Sequence, residues 1–379
     1  MPFQPTVFCQ LMQPVRRQVF HSAAVGRAKW VLSDWAHLIA LVAAQIAGIR
    51  SLRDLERLLA HHQRALSHLA VGAVHRSTLA DANRTRPTAP FEAVAAHLSG
   101  LIARHTPGLG RQALRLIDAT RIHAGQRVRE WAVDGAVKLH VVLDPILQRT
   151  VCFAVTGSRV NDITPAKLFP IEAGMIYVFD RGYYDFGFWA KLHATHCRFV
   201  TRLKKNTPIG DARPRRIAQK ATHILDDRVG RLPSRLCSSR HNPFRAKVRV
   251  ITVQISTDRV IDLLTNDLKT AAVDIARLYK ARWEIELFFK WIKQNLKIRH
   301  FLGASRNAVT LQVIAALIAF LLVRLAQLLA FSSLTLQQAF RIVGAMLMQR
   351  RPLHHLLHPP QPTPEKPESQ RAQLAFLFP

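Results

Sequence analysis

Between Val313 and Val323 the chain runs through eleven apolar residues without a break, and no other feature narrows its folds so sharply. Such a segment must leave water, either for a bilayer or for a protein core. A membrane-spanning helix needs about 20 consecutive apolar residues. Here Gln312 precedes the run, and Arg324 and Gln327 follow it. The wider stretch Val309–Ala330 therefore reads as a helix buried in a large core, and no membrane partner is expected. A chain of 379 residues, 49% of them apolar, can supply that core. It has room for one large domain or two to three ordinary ones.

The first hundred residues show helical patterning. Trp35–Gly48 is an apolar helix that stops at a glycine. Ser51 caps a second helix, from Leu52 to about Leu66, with Glu56 in its first two turns. A third begins near Ser77 and ends before Pro87, and residues 90–105 form one more. The texture changes at about Gly108. Gln112–Ile117 is a short apolar run leading to Asp118. Val137–Leu143 and Arg149–Val155 are strands joined by a turn at Asp144-Pro145, an antiparallel hairpin. A helical stretch near Pro165–Glu172 precedes Met175–Phe179, a strand that ends on Asp180. Tyr184–Ala194 suits a helix, and Arg198–Leu203, Val248–Ile255 and Val260–Leu264 suit strands. One long aromatic-rich helix spans Asp274 to about Asn295. The segment 351–379 is rich in Pro and His and reads as a disordered tail.

Charge narrows the partners. There are 54 Lys and Arg against 24 Asp and Glu, a net charge of +30. Fourteen of the basic residues fall within 202–249, against Asp211, Asp226 and Asp227. That excess creates a field that attracts polyanions, and each neutralised phosphate releases counterions. Nucleic acid is the expected partner, with a merely alkaline surface as the plain alternative. Cys9, Cys152, Cys197 and Cys237 form no Cys-x-x-Cys pair, which suits a reducing, cytoplasmic compartment. Residues 1–20 lack the apolar core and cleavage site of a secretory signal.

Asp118 and Asp180 each follow an apolar strand, where a carboxylate is costly to bury unless a cation pairs with it. Taken singly, each reads equally well as a turn aspartate or a helix cap. In a twisted mixed sheet the two strands can be neighbours, which would bring the acids together. The helix at Leu278–Asn295 adds a third. At about 100° per residue, Tyr279, Glu286 and Lys293 fall on one stripe, and Arg282 shares that face with Glu286. Glu284 points away. By periodicity alone the stripe is as well explained by a solvated face. Three carboxylates suit Mg²⁺ or Mn²⁺, hard ions that retain waters or phosphate oxygens. Two such ions about 4 Å apart can activate a water or a 3′-hydroxyl and stabilise the leaving oxygen.

The set Tyr279-x2-Arg282-x3-Glu286-x6-Lys293 resembles, at every spacing, the Y-R-E-K signature of bacterial DDE transposases of the insertion sequence four family. Leu116-Ile-Asp118-Ala-Thr and Asp180-Arg-Gly-Tyr183 resemble the blocks around that family's first two acids. Lys138-Leu-His140, the Asn161-Asp162 turn, Ser51-Leu-Arg-Asp54 and the stretch Ser77–Arg86 are similar to it as well. The resemblance covers roughly residues 15–350.

It implies an α/β fold, a ribonuclease-H-like mixed-sheet catalytic domain at 107–350 with a mostly β insertion at about 202–266. An all-helical, DNA-binding amino-terminal domain at 1–106 would precede it. It implies that Asp118, Asp180 and Glu286 are catalytic and hold two Mg²⁺ or Mn²⁺ ions, for cleavage at element ends and strand transfer into target DNA. Arg282, Lys293 and Lys290 would grip phosphates, and Tyr279 would position the same backbone. Arg202, Lys204 and Lys205 are further candidate DNA contacts, equally readable as a solvated strand end. The expected partners are double-stranded DNA, as terminal inverted repeats and target, and a second copy in a homodimer on DNA at the bacterial nucleoid. A catalytically inactive repressor derived from a transposase, and a nuclease that only hydrolyses, are the competing readings. The three acids and the Y-R-E-K residues are all present, which favours the catalytic one.

Overall fold

A computed structural model describes residues 4–23, 32–106, 113–125, 128–132, 134–217, 223–237, 240–295 and 301–358. Among them, seven α-helices precede the first strand. These are α1 (Val7–Met12), α2 (Arg17–Ser22), α3 (Asp34–Ala47), α4 (Leu52–His61), α5 (Gln63–Leu66), α6 (Arg76–Thr85) and α7 (Ala89–Arg104). Ser33 and Ser51 cap α3 and α4 by accepting from the N–H groups of Ala36 and Asp54. Gly48 ends α3 by taking the left-handed conformation, φ 68°. α1 and α2 are six-residue helices, too short to show a period in the sequence.

The strands β1 (Leu114–His123), β2 (Ala136–Asp144), β3 (Arg149–Gly157), β4 (Ile176–Phe179) and β5 (Arg198–Arg202) form one half of a single sheet. β1, β2 and β3 pair antiparallel, and β4 and β5 continue parallel to β1. That order, 3-2-1-4-5, is the ribonuclease-H-like arrangement. The insertion strands β6 (Gly210–Pro214), β7 (Ile224–Arg231), β10 (Lys247–Ser256) and β11 (Arg259–Thr265) do not form a sheet of their own. β11 pairs antiparallel with β5, Leu264 against Thr201, so the sheet continues to nine strands, β3-β2-β1-β4-β5-β11-β10-β7-β6. β8 (Arg235–Cys237) and β9 (Arg240–His241) make a separate small ribbon.

Period-two alternation divides the sheet's side chains between two cores. Leu114 and Leu116, with Ile176 and Val178, face the core shared with the amino-terminal helices. Ile117, Tyr177 and Phe179 face the other way. There α8 (Ile163–Ala166) and α9 (Phe186–Ala194) cover the sheet, and the ring of Phe199 stacks on Phe179 and Trp189.

After β11 come α10 (Ala272–Lys280), α11 (Trp283–Asn295), α12 (Arg306–Leu329), α13 (Leu336–Ala345) and α14 (Leu353–Leu357). The apolar run lies in α12, where every residue from Val313 to Val323 is at most 2% exposed. α12 packs against α3, α6, α7, α13 and β3, so it joins helices from the start of the chain to the sheet. Each large apolar side chain buried there contributes roughly 1.5–3 kcal/mol. α14 carries order past Arg351, where the sequence reading began the tail. Leu357 is buried, and Gln10 binds both the Arg351 carbonyl and the Leu353 N–H. Residues 359–379 of that tail lie outside the described residues.

Candidate active site

Asp118 does not end its strand. β1 runs on to His123 because β2 keeps pairing with it as far as His123↔Ala136. β4 is shorter, and its last pair with β1 is Ile117↔Phe179. Asp118 is therefore the first β1 residue with no β4 neighbour, and Asp180 is the first residue past β4. The two acids emerge at the same level on adjacent parallel strands. Carboxyl ends of parallel strands are where clefts form in such sheets. Alternation gives Asp118 the same face as Leu116, the face against which α11 packs.

Asp180 turns its carboxylate back on its own loop. Its Oδ1 accepts from the Gly182 N–H at 2.7 Å and caps a 3-10 turn at Arg181–Tyr183. Asp185, not Asp180, caps α9, accepting from the Phe188 N–H.

The single helix predicted over Asp274–Asn295 is two, α10 and α11, with a turn at Ala281 and Arg282. No proline or glycine marks the break. α10 packs on β4, β5 and β7 while α11 packs on β1 and α13, so the turn lets each helix bury its own apolar face. Arg282, just ahead of α11, keeps the predicted partner. Its Nη2 lies 2.6 Å from Glu286 Oε1, and its Nη1 lies 3.5 Å from Asp118 Oδ2. Its Nε is buried without a hydrogen-bond partner. The Tyr279 ring lies beside the guanidinium, 5.9 Å from ring centroid to carbon.

These contacts set the charge state of the centre. Burial first, and then the negative charges of Asp180 and Glu286, push the Asp118 carboxyl up to about 7. The Ala119 N–H and Arg282 oppose that rise. The Tyr279 hydroxyl is also pushed up by burial, against the pull of Arg282 and Arg202. As they stand, no three His, Cys, Asp or Glu side chains among the described residues are close enough to hold one metal ion. The cation between Asp118 and Glu286 is instead a guanidinium. The donors are all carboxylate oxygens, the ligands hard divalent ions prefer, and the place between two of them already stabilises positive charge.

The structure thus gathers Asp118, Asp180, Glu286, Arg282 and Tyr279. Arg202 joins Tyr279 and Arg282 in lining a groove of about 1060 Å³ between β10–β11 and α10–α11. The same groove holds Arg259, Arg277 and Trp283, none of which the sequence reading singled out. Trp283 is 59% exposed, and its position beside Arg282 was the available signal. The remaining predicted DNA contacts do not line this groove. Lys204 sits over the Tyr184 ring at 4.5 Å and Lys205 is exposed next to it. Lys290 is exposed on α11, and Lys293 is half-buried one turn on.

Known proteins resemble the chain over most of its length. A family model described as a transposase DDE domain matches residues 110–322, and a domain of unknown function matches residues 4–71. A Sinorhizobium fredii protein described as a transposase, y4zB, is 38% identical over 309 residues, 79% of this chain and 85% of its own. A Geobacillus stearothermophilus protein, described as a transposase for insertion sequence element IS5377, is 30% identical over 219 residues, 56% of each chain. A piggyBac transposase in a synaptic complex with hairpin DNA aligns over 88% of this chain and 77% of its own. Its identity is 10% and its TM-score 0.45.

Proposed function

The chain belongs to the family of insertion-sequence transposases that carry the transposase DDE domain, and from that premise we propose that Asp118, Asp180 and Glu286 are its catalytic acids. It is a DNA transposase. The observation that carries the residue assignment is the Asp118–Arg282–Glu286 bridge, which ties β1 to α11 beside the Asp180 loop.

In this reading the three carboxylates hold divalent ions, Mg²⁺ or Mn²⁺, two in number. When bound, such ions activate an attacking water or 3′-hydroxyl and stabilise the leaving oxygen. The chain's own groups do the rest. Arg282 neutralises Asp118 and Glu286 until phosphate arrives. Its donors then turn to the phosphate, for which a forked guanidinium is well shaped. Tyr279 and Arg202 fix the same backbone from the groove. Lys290, Lys293, Lys204 and Lys205 extend the basic track on either side. The helical region 1–106 reads the terminal inverted repeats. Two ends must meet for cut-and-paste transfer, so the working assembly is a homodimer on DNA.

The test is strand cleavage and joining on duplexes that carry the element's own ends, with Mg²⁺. Glu286→Gln should abolish both steps while leaving DNA binding in place. Full activity in that variant overturns the assignment.

A further inference from the structure

Two motifs from the sequence, Lys138-Leu-His140 on β2 and Asp162 just ahead of α8, have no task in the mechanism above. The fold brings both to the Asp180 loop. Lys138 Nζ donates to Asp162 Oδ1 at 2.8 Å and to the Val160 carbonyl at 2.7 Å. His140 Nδ1 stands 4.0 Å from that same Oδ1, with its Nε2 held 2.8 Å from the Thr156 hydroxyl. One oxygen of Asp162 is therefore engaged. The other, Oδ2, faces Gly182 and lies 3.4 Å from where a Cβ would stand there. Asp180 Oδ1 lies 3.0 Å from the same point. Asp162 and Asp180 thus look onto one small space beside Gly182, where a Cβ would crowd the Asp180 carboxylate.

A second observation points into this space. The Tyr183 side chain is fully buried, and its hydroxyl has no hydrogen-bond partner. Burial raises its pKa well above the ordinary tyrosine value, and the charges of Asp118, Asp162 and Asp180 raise it further. The hydroxyl keeps its proton as an unused donor among three carboxylates. Such a donor is completed by a water or an anionic oxygen.

Resting on the functional reading above, we propose that Asp162 is a positioning residue of the active centre. Its Oδ2 accepts from a water in the hydration shell of the divalent ion held by Asp118 and Asp180, and the Tyr183 hydroxyl donates into the same shell. Lys138 occupies the other oxygen, Oδ1, and takes no part in holding the ion. Magnesium-type ions keep several waters, and the groups that orient those waters matter nearly as much as the direct ligands. The competing explanation is that Asp162 only tethers Lys138, tying the turn before α8 to β2.

Mn²⁺ titration of the full chain without DNA, followed by electron paramagnetic resonance, separates these ideas. Thermal unfolding of each metal-free variant runs alongside. Asp162→Asn should weaken Mn²⁺ binding by about tenfold or more, with little change in unfolding temperature. Lys138→Met removes a positive charge from the same place and should leave Mn²⁺ affinity equal or higher. Equal losses in both variants would make Asp162 a tether and overturn the proposal. Unchanged binding in Asp162→Asn, with binding lost in Asp180→Asn, overturns it too but leaves the catalytic acids standing. Unchanged binding in Asp180→Asn removes the functional reading, and this inference with it. If Asp162→Asn does not fold, Tyr183→Phe takes its place. A several-fold loss is expected there, and no loss refutes the idea.

Discussion

Arg249 in the insertion and Arg282 at the catalytic centre are both arginines enclosed with carboxylates, and they are built to opposite ends. Arg249 and Asp227 are 2% and 3% exposed, on the adjacent strands β10 and β7. Both Asp227 oxygens are bound, at 2.8 and 2.7 Å, and Nη1 donates to the Thr270 carbonyl at 2.5 Å. Arg282 is 20% exposed, holds one carboxylate closely and the other at 3.5 Å, and leaves Nε without a partner. A pair whose hydrogen bonds are complete has nothing to gain from a new ligand. An arginine shared unequally between two acids, with a donor to spare, can change partners at small cost. The completeness of its bonds, more than its burial, marks a charged group as holding the fold or serving the site.

The largest effect expected from this contrast is in the insertion. Arg249→Met strands Asp227 in the interior and should cost about 3–5 kcal/mol of unfolding free energy in denaturant melts. A loss below about 1 kcal/mol would mean that the two arginines do not differ in kind. At the site the loss falls on activity and not on stability. Glu286→Gln should abolish cleavage while its melting curve stays close to that of the parent.

A buried pair of another kind extends the comparison to pH. His37 is fully buried and 2.7 Å from Asn83, and burial, chiefly, lowers its pKa to about 3. The folded chain holds this ring neutral, whereas the unfolded chain protonates it below about 6.5. Its share of stability is present above pH 6.5 and is lost as pH falls from there toward 3. Unfolding free energy should fall by about 2 kcal/mol between pH 7 and 5 on this account. His37→Gln should flatten that slope, and an unchanged slope would show that the fold does not hold the ring neutral. Arg282→Gln should cost less stability than Arg249→Met, roughly 1 kcal/mol, because its bonds are incomplete. Its loss should appear instead as weaker, less salt-dependent binding of duplex DNA.

The parts of this picture that the sequence made legible are those set by local geometry. Arg282 and Glu286 are four residues apart, and they meet as helix spacing suggests even though the longer helix breaks at Arg282 itself. Partial alternation and the Asp144-Pro145 turn pointed to the hairpin β2–β3, and a short apolar run to the strand before Asp180. The break after Lys280 was not legible, because tertiary packing of two apolar faces, not proline or glycine, produces it. Nor was the overrun of β1. The residues Ala119–His123 show little strand pattern and are extended because β2 continues beside them. The insertion hid best. In β7 the buried Asp227 reads as one more surface acid until Arg249, twenty-two residues on, supplies its partner.

The helix α12 also carries a consequence for how the protein is made. Its partners α3, α6 and α7 lie at the start of the chain, and more than two hundred residues separate α7 from the end of α12. At roughly 5–20 residues per second, the apolar faces of the first helices wait roughly 10–45 s for the segment that covers them. The nascent chain must therefore be shielded by other proteins or stay loosely collapsed through most of its synthesis. A truncated message that stops before Arg306 would yield a product unable to close its first core.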